Sequence, residues 1–397
     1  MGNNVIDQAR HRCSGCGLCV HVCPSACLEM VADPEGFLFP EINREACIDC
    51  GICLRRCPML KADSLLKDER NDAYAAVLKN TNQLKESSSG GVFTALANHT
   101  LSMDGVVYGA VMGKDLKVYH KAARKEEDLV SMRGSKYVQS DINEVFQQIK
   151  EALLNKTEVL FTGTPCQVAA VAEWAKGYES TLTTVDLVCH GVPSPGLFRQ
   201  HTKWLEGKYG APVKELHFRS KAMGYWGLYK ERIIIEDREI HQLAVSDPYY
   251  AAFLRCETFR EACYQCPFSC EKRVSDLTIC DYWGVEVEHS ELNASRGISG
   301  VIINTEKGKM FFEASSHELK VYLSTKKQIS KHQKNLNAPS VRSSVRDEVY
   351  HLITEEGYAV WASRYLKSAT RMINVLRSSM PRRIKILRKR LQRVLKG

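Results

Sequence analysis

The run Cys13-Ser-Gly-Cys16-Gly-Leu-Cys19-Val-His-Val-Cys23-Pro24 is followed by a second of the same form, Cys47-Ile-Asp-Cys50-Gly-Ile-Cys53-Leu-Arg-Arg-Cys57-Pro58. Both read C-x2-C-x2-C-x3-C-P, the spacing at which cysteine thiolates hold [4Fe–4S] clusters. Three thiolates on one tight loop reach three corners of a cubane. The fourth opens a short helix pointing away and serves the other cluster. The pattern assigns Cys13, Cys16, Cys19 and Cys57 to one cluster, and Cys47, Cys50, Cys53 and Cys23 to a second. The proline after each fourth Cys ends the loop and leaves no N–H unsatisfied.

Zinc knuckles pair two C-x2-C units and need neither a third Cys at the same spacing nor a closing proline. Disulfides do not suit a chain that opens Met1-Gly-Asn-Asn with no secretory signal. The duplicated run is that of bacterial two-cluster ferredoxins. Residues 1–60 are therefore expected to form such a domain, with a strand–turn–strand between its halves. Cys27 is spare and reads as a buried thiol.

Outside that domain, 397 residues allow about two or three domains in all. Hydrophobic content of 44% and charged content of 25% are ordinary for a globular protein, whereas 16 Cys are not. So many thiols without a signal imply a reducing, cytoplasmic setting with sulfur kept for metal. No apolar run reaches the ~18 residues that would span a membrane. The net charge of +9 is local: ten Lys/Arg and no Asp/Glu lie between Arg371 and Gly397, which leaves the remainder at −1. A nucleic-acid-binding protein is not expected from that distribution. Within the tail, Ile384, Leu387, Leu391 and Leu395 form a helical stripe opposite a basic face. The pattern suits a peripheral anchor on a membrane surface of acidic lipid, or contact with an acidic partner such as ferredoxin. A terminal helix capping the fold accounts for it equally well.

Residues 61–82 read as a polar linker leading into a strand near Ala73–Lys79. Strands and helices then alternate as far as residue 188, and strands dominate after Pro212. The expected class is α+β: a dicluster ferredoxin-like domain (1–60), a linker (61–82), a mixed α/β domain (83–340) and a helical, basic C-terminal segment (341–397).

Several elements of the α/β region suggest chemistry. Ser87-Ser-Ser-Gly-Gly91 opens a helix whose free N–H groups suit a phosphate, although an ordinary cap reads the same way. Gly163-Thr-Pro-Cys166-Gln167 and Val188-Cys189-His190-Gly191 each place a Cys just past a strand, where α/β proteins build sites. Cys256, Cys263, Cys266, Cys270 and Cys280 crowd the next stretch and imply a further metal site, with a zinc loop from the last four as the other reading.

Phe161-Thr-Gly-Thr-Pro-Cys-Gln167, Val185-Asp-Leu-Val-Cys-His-Gly-Val-Pro-Ser194, Gly134-Ser-Lys-Tyr-Val-Gln-Ser140 and Ser275-Asp-Leu-Thr-Ile-Cys-Asp-Tyr-Trp-Gly284, with Ser87–Gly91, carry a resemblance. From residue 1 to about 315 the chain resembles the coenzyme F420 hydrogenase/dehydrogenase beta-subunit family. The resemblance implies an iron–sulfur oxidoreductase whose α/β domain binds FAD. It also implies a small organic substrate or a deazaflavin-like coenzyme, and ferredoxin or another redox protein as partner. Carried over by motif, Ser87, Ser88, Ser89, Gly90 and Gly91 contact the FAD phosphate, and Ser135, Lys136, Tyr137 and Ser140 line the flavin. Cys166, Cys189, Cys263 and Cys266 hold a third [4Fe–4S] cluster; Cys256 and Cys270 could instead complete it with Cys263 and Cys266. Cys280 stands where the family pattern has Gly. His190, with an ordinary pKa of about 6.5, suits a proton donor to flavin or substrate, or a hydrogen bond that fixes its loop. No GxGxxG follows a strand, so a Rossmann NAD site is not supported. The competing reading is an electron relay to a partner protein, with no substrate of its own.

Overall fold

The two cysteine runs fold alike. Gly15 and Gly17 take φ of +70° and +75°, and their counterparts Asp49 and Gly51 take +49° and +69°. Each run then makes one helical turn, Leu18–His21 and Ile52–Arg55. Left-handed residues between successive Cys curl the loop around its thiols; Gly adopts that conformation freely, and Asp is among the few others that tolerate it. Strands β1 (Leu28–Ala32) and β2 (Leu38–Ile42) pair antiparallel between the two halves, with Leu28 opposite Ile42. The structure, a computed structural model, describes residues 2–67, 70–221, 226–227, 230–368, 372 and 375.

The remaining strands are β3 (Asp72–Leu78), β4 (Val106–Met112), β5 (Val118–Ala123), β6 (Val159–Gly163), β7 (Leu182–Leu187), β8 (Val213–His217), β9 (Lys230–Ile235), β10 (Arg238–Leu243), β11 (Leu277–Asp281), β12 (Ser299–Ile303) and β13 (Leu319–Thr325). Eight of them form one sheet in the order β13-β3-β12-β11-β7-β6-β4-β5. Its centre, β4-β6-β7-β11, is parallel. Parallel strands need cover on both faces, and β6 is buried along its whole length. Val107, Leu160 and Val185 pack with helices α1 (Val92–Ser102) and α6 (Glu306–Ser315) on one face. Val106, Tyr108 and Phe161 pack with α2 (Val145–Leu154) and α3 (Pro165–Trp174) on the other.

The strand expected near Ala73–Lys79 is present, but it makes the second half of residues 61–82 part of the sheet rather than of a linker. This is β3, which pairs Tyr74 with Val301 of β12 and Ala76 with Val321 of β13. Its alanines are small enough to be covered completely, and Ala73, Ala75 and Ala76 are all 0% exposed. The sheet therefore begins at residue 72 rather than 83.

Strands β8, β9 and β10 make a separate antiparallel sheet. Around it pack α4 (Pro195–Tyr209), α5 (Pro248–Leu254), α7 (Arg346–Glu356) and α8 (Tyr358–Lys367), sharing a core of Phe218, Tyr249, Phe259, Tyr350 and Trp361. Helix α4 is bounded by its sequence: Ser194 Oγ accepts from Leu197 N, Pro195 opens the first turn, and Gly210 at φ +74° ends the last. The segment after 341 thus contributes core helices; the basic tail beyond Pro381 lies outside the described residues.

The N-terminal module is docked against this body. Arg56 Nε (2.7 Å) and Lys61 Nζ (3.0 Å) reach Glu173 of α3, whose side chain is 2% exposed. Glu35 pairs with Arg346 at 2.5 Å, and Ser194 Oγ donates to Glu35 O. Gly36 and Gly196 meet backbone to backbone: a Cβ on Gly196 would lie 2.6 Å from Gly36 Cα. Among the described residues no helix is long and apolar enough to cross a membrane.

Candidate metal centres

The cysteines named above gather in three places. At site I, burial pushes the thiols of Cys13, Cys16, Cys19 and Cys57 up. Proximity adds to it: Cys16 is raised further by Cys57 and Cys13, and Cys19 by Cys16, Cys13 and Cys57. Site II is a cleft lined by Cys23, Cys47, Cys50 and Cys53, with Cys27 beside them at 3.4 Å from Cys23 Sγ. It faces outward, since Ile48 within its loop is 66% exposed.

Site III is built at the C-terminal ends of neighbouring parallel strands. Cys166 lies in the first turn of α3 after β6, and Cys189 follows β7. Cys263 sits in a short helical turn (Glu261–Gln265), and Cys266 closes it. Burial first, then Cys263, Cys166 and Cys266, raise Cys189 well above an ordinary thiol. Burial, Cys266 and Cys166 push Cys263 up to about 12, and burial and Cys166 push Cys266 up to about 11. Four thiols that oppose one another's ionisation in a dry site suit bound iron, which deprotonates a coordinating thiol outright. Among the described residues no three His, Cys, Asp or Glu converge at the spacing of a single metal ion. A cubane, with iron at separate corners, takes thiols set more widely apart.

The loops of site III are held by their surroundings. Thr164 and Gln167 form a reciprocal cap at the start of α3, and Gln167 Nε2 also donates to Ser140 O and Oγ at 2.9 Å. Arg273, 1% exposed at its side chain, pairs with the fully buried Asp186 on β7 at 3.0 Å. Its other N–H groups bond to Phe268 O and Cys270 O, which ties the 263–270 loop to that strand. Cys256, Cys270 and Cys280 are engaged elsewhere. Cys256 Sγ lies 3.4 Å from His190 Nε2, Cys270 bonds to Lys272 O, and Cys280 faces Gly300 across β11 and β12. A Cβ on Gly300 would lie 2.9 Å from Cys280 Sγ, so the glycine leaves the room that this thiol occupies.

Sites I and III adjoin. Cys16, Cys57, Cys166 and Cys266 pack against one apolar cluster that includes Phe146 and Val168, and Cys166 adds to the upward push on Cys16. Gln139 Nε2 donates to Ser14 O at 3.0 Å, inside the first cysteine loop.

A cavity of about 980 Å³ opens between the 131–136 loop, the β4–β5 turn and β8. That is the upper end of the roughly 300–1,000 Å³ usual for cofactor sites. Nine Lys/Arg line it, among them Lys85, Lys114, Lys214, Lys221 and Arg296, against four Glu, of which Glu86 pairs with Arg133 and Glu239 with Arg232. The donor set fits a diphosphate. Of the residues expected around flavin, Ser135 and Lys136 line the cavity, and Ser135 Oγ bonds to Ser88 Oγ at 2.8 Å. Lys221 Nζ donates to Ser89 O at 2.6 Å and holds the Ser87–Gly91 loop against the wall. Other members of the set face inward. Ser87 Oγ bonds to Gln83 O, Ser89 Oγ to Ile298 O, and Gly90 N to Ser299 Oγ. Gly91 caps α1 at φ +80°. Lys136 Nζ bonds three carbonyls, Ser131, Met132 and Arg133, and burial holds it at about 7. Tyr137 stacks on Phe253 at 4.3 Å, and Ser140 meets Gln167. His190 is not in the cavity wall; its ring is fixed between Asn335 and Cys256. Of the residues that hold these loops, Gln139 lies in a sequence motif, whereas Lys221 and Arg273 lie in none.

Two family models described as coenzyme F420 hydrogenase/dehydrogenase, beta subunit, match the chain: that of the N-terminal part over residues 73–147, and that of the C-terminal part over residues 156–328. A 4Fe–4S dicluster domain matches residues 12–62. No curated protein matches the chain. A solved chain from the xenon-derivatised F420-reducing [NiFe] hydrogenase complex of Methanosarcina barkeri is similar at 19% identity and a TM-score of 0.45, covering 68% of this chain and 91% of that one.

Proposed function

Because this chain belongs to the coenzyme F420 hydrogenase/dehydrogenase beta-subunit family and carries a 4Fe–4S dicluster domain, we propose that it is an iron–sulfur flavoprotein oxidoreductase. Electrons would enter from ferredoxin or another redox protein at site II, pass through sites I and III, and reach FAD in the basic cavity. A small organic substrate or deazaflavin-like coenzyme would be reduced or oxidised there.

One observation carries this reading: the segment Gly134–Ser140 touches all three inner stations. Ser135 and Lys136 line the cavity, Gln139 bonds to the site I loop, and Ser140 bonds to Gln167 beside Cys166. At about 3.5 Å per residue, the path from Ser135 to Ser140 is no longer than about 18 Å. When bound, clusters take single electrons whereas a flavin holds two and can release them as hydride. The chain supplies position and charge. Its basic wall neutralises a diphosphate, the Ser88–Ser135 bond sets the rim, and eight module thiols with Cys166, Cys189, Cys263 and Cys266 hold iron. His190, fixed by Asn335 and packed on Phe253 and Phe259, serves as a positioning residue for the Cys189 loop.

The test is iron and flavin content of anaerobically purified protein. About twelve irons and one FAD per chain support the reading. About eight irons and no flavin would overturn both the third cluster and the flavin site.

A further inference from the structure

Arg260 carries a buried positive charge that no carboxylate pairs with among the described residues, Asp33 acting on it without an ion pair. It is 1% exposed, and its hydrogen bonds go to uncharged acceptors. Nε donates to Gln139 Oε1 at 3.0 Å, Nη1 to Cys13 O at 3.3 Å and Nη2 to Leu38 O at 2.8 Å. The guanidinium lies over the rings of Phe37 and Phe39, at 4.8 and 4.5 Å. Among the described residues no carboxylate pairs with it. The other deeply buried arginines differ: Arg273 has Asp186, and Arg346 has Glu35 and Glu261. A lone buried cation is strongly unfavourable unless negative charge nearby compensates it.

Its surroundings indicate where that charge comes from. Arg260 stands between sites I and III: its Nη1 donates to Cys13 O at 3.3 Å, and its own carbonyl accepts from Cys263 N at 2.9 Å. Arg260 also presses on the site I loop, because a Cβ on Gly15 would lie 2.6 Å from Nη2. Four thiolates around a cubane leave a net negative charge at each site, larger after reduction by one electron.

We propose that sites I and III together are the counter-charge of Arg260, and that this residue is a positioning residue which raises the reduction potential of both. The proposal rests on Cys166, Cys189, Cys263 and Cys266 holding a cluster. Net charge and hydrogen bonding around a cluster set its potential, so one cation shared between two neighbouring sites moves both in the same direction. None of these hydrogen bonds or ring contacts of Arg260 is to a site II cysteine, so site II should move least.

The experiment is an EPR-monitored redox titration of the full chain, purified anaerobically, with iron counted for every variant. Cys50→Ala identifies the site II signal. In Arg260→Gln with full iron, the site I and site III signals should move to more negative potential while site II stays fixed. Arg260→Lys, which keeps the charge, should leave both near the wild-type values. Gln139→Glu supplies the missing carboxylate without removing the arginine, and should reproduce the negative shift even where Arg260→Gln fails to fold. Unmoved potentials in Gln139→Glu, or equal shifts at all three sites, would overturn the proposal. Wild-type protein with about eight irons would instead remove site III from the reading. The site I signal then decides alone: a negative shift in Gln139→Glu keeps the role at that site, and no shift ends it.

Discussion

Substituting Gly196 by Ala sets two local effects against each other, and the structure says which should win. Gly196 is the second residue of α4, in helical conformation, where Ala is intrinsically better by up to about 1 kcal/mol. The new Cβ, however, would lie 2.6 Å from Gly36 Cα. Carbon atoms normally rest about 3.5–4.0 Å apart, so the two backbones must separate by about 1 Å. No side chain can rotate out of the way. Overpacking of this kind costs about 1–3 kcal/mol, and the upper half of that range applies between two backbones. After the helix gain, a net loss of about 1–2 kcal/mol remains, which weakens docking of the module about 5- to 30-fold. The seam that opens contains the Glu35–Arg346 pair at 2.5 Å, the Ser194–Glu35 bond at 2.6 Å and the Arg260–Leu38 bond at 2.8 Å. Hydrogen exchange followed by mass spectrometry on the anaerobic full chain should show faster exchange in peptides covering 33–40 and 194–200, with the 201–209 end of the helix unchanged. Equal or slower exchange in both peptides would mean that helix propensity prevails and that the close contact constrains nothing. Gly36→Ala should be worse by about 1–2 kcal/mol, because its φ of +81° lies in the left-handed region.

Three further outcomes are expected. Cys166→Ala or Cys263→Ala should lower iron from about twelve to about eight per chain, while Cys256→Ala, Cys270→Ala and Cys280→Ala leave it unchanged; the same loss in both groups would dissolve the distinction. Glu173→Ala removes the carboxylate from Arg56 and Lys61, but Arg56 keeps its bond to the carbonyl of residue 173, and both cations are about a third exposed and rehydrate. The loss should therefore be about 1–2 kcal/mol, seen as faster proteolysis between module and body, and an unchanged cleavage rate would count against this contact as a clamp. Burial holds His120 at about 4, well below its unfolded value of about 6.5. Its contribution is therefore intact above about pH 6.5 and is lost as pH falls toward about 4, by up to about 3 kcal/mol. His120→Gln should show a shallower acid dependence of its melting temperature than the wild type, and parallel curves would refute the assignment.

What the sequence disclosed follows the reach of each signal. The eight module cysteines are legible because their spacing and their local backbone are one constraint, seen again in the matching turns at Gly15–Gly17 and Asp49–Gly51. Cys166 and Cys189 are legible because strands β6 and β7 are buried throughout almost all their length and end where α/β sheets place chemistry. The expected flavin set shows the limit: a motif singles out Lys136 and Tyr137, but packing turns one onto three carbonyls and the other onto Phe253. β3 was legible as a strand near Ala73–Lys79, but its polar flanks gave no sign that it belongs to the sheet of strands beginning more than two hundred residues later. Arg260, Arg273 and Glu173 could not be anticipated, since an isolated charge in sequence gives no sign that it will be buried.

The position of β3 bears on how the protein is made. Its two neighbours in the sheet, β12 and β13, begin at residues 299 and 319, more than two hundred residues downstream. At about 5–20 residues per second, roughly 10 to 50 seconds of synthesis separate the strand from its partners. Throughout that interval the cysteine module has already emerged and can take up iron, while the segment tethering it still presents two bare edges. A nascent chain stopped before residue 299 leaves Asp72–Leu78 unpaired on both sides, an invitation to association between chains. Synthesis of β12 and β13, rather than emergence of the first domain, is the step that closes both edges of β3.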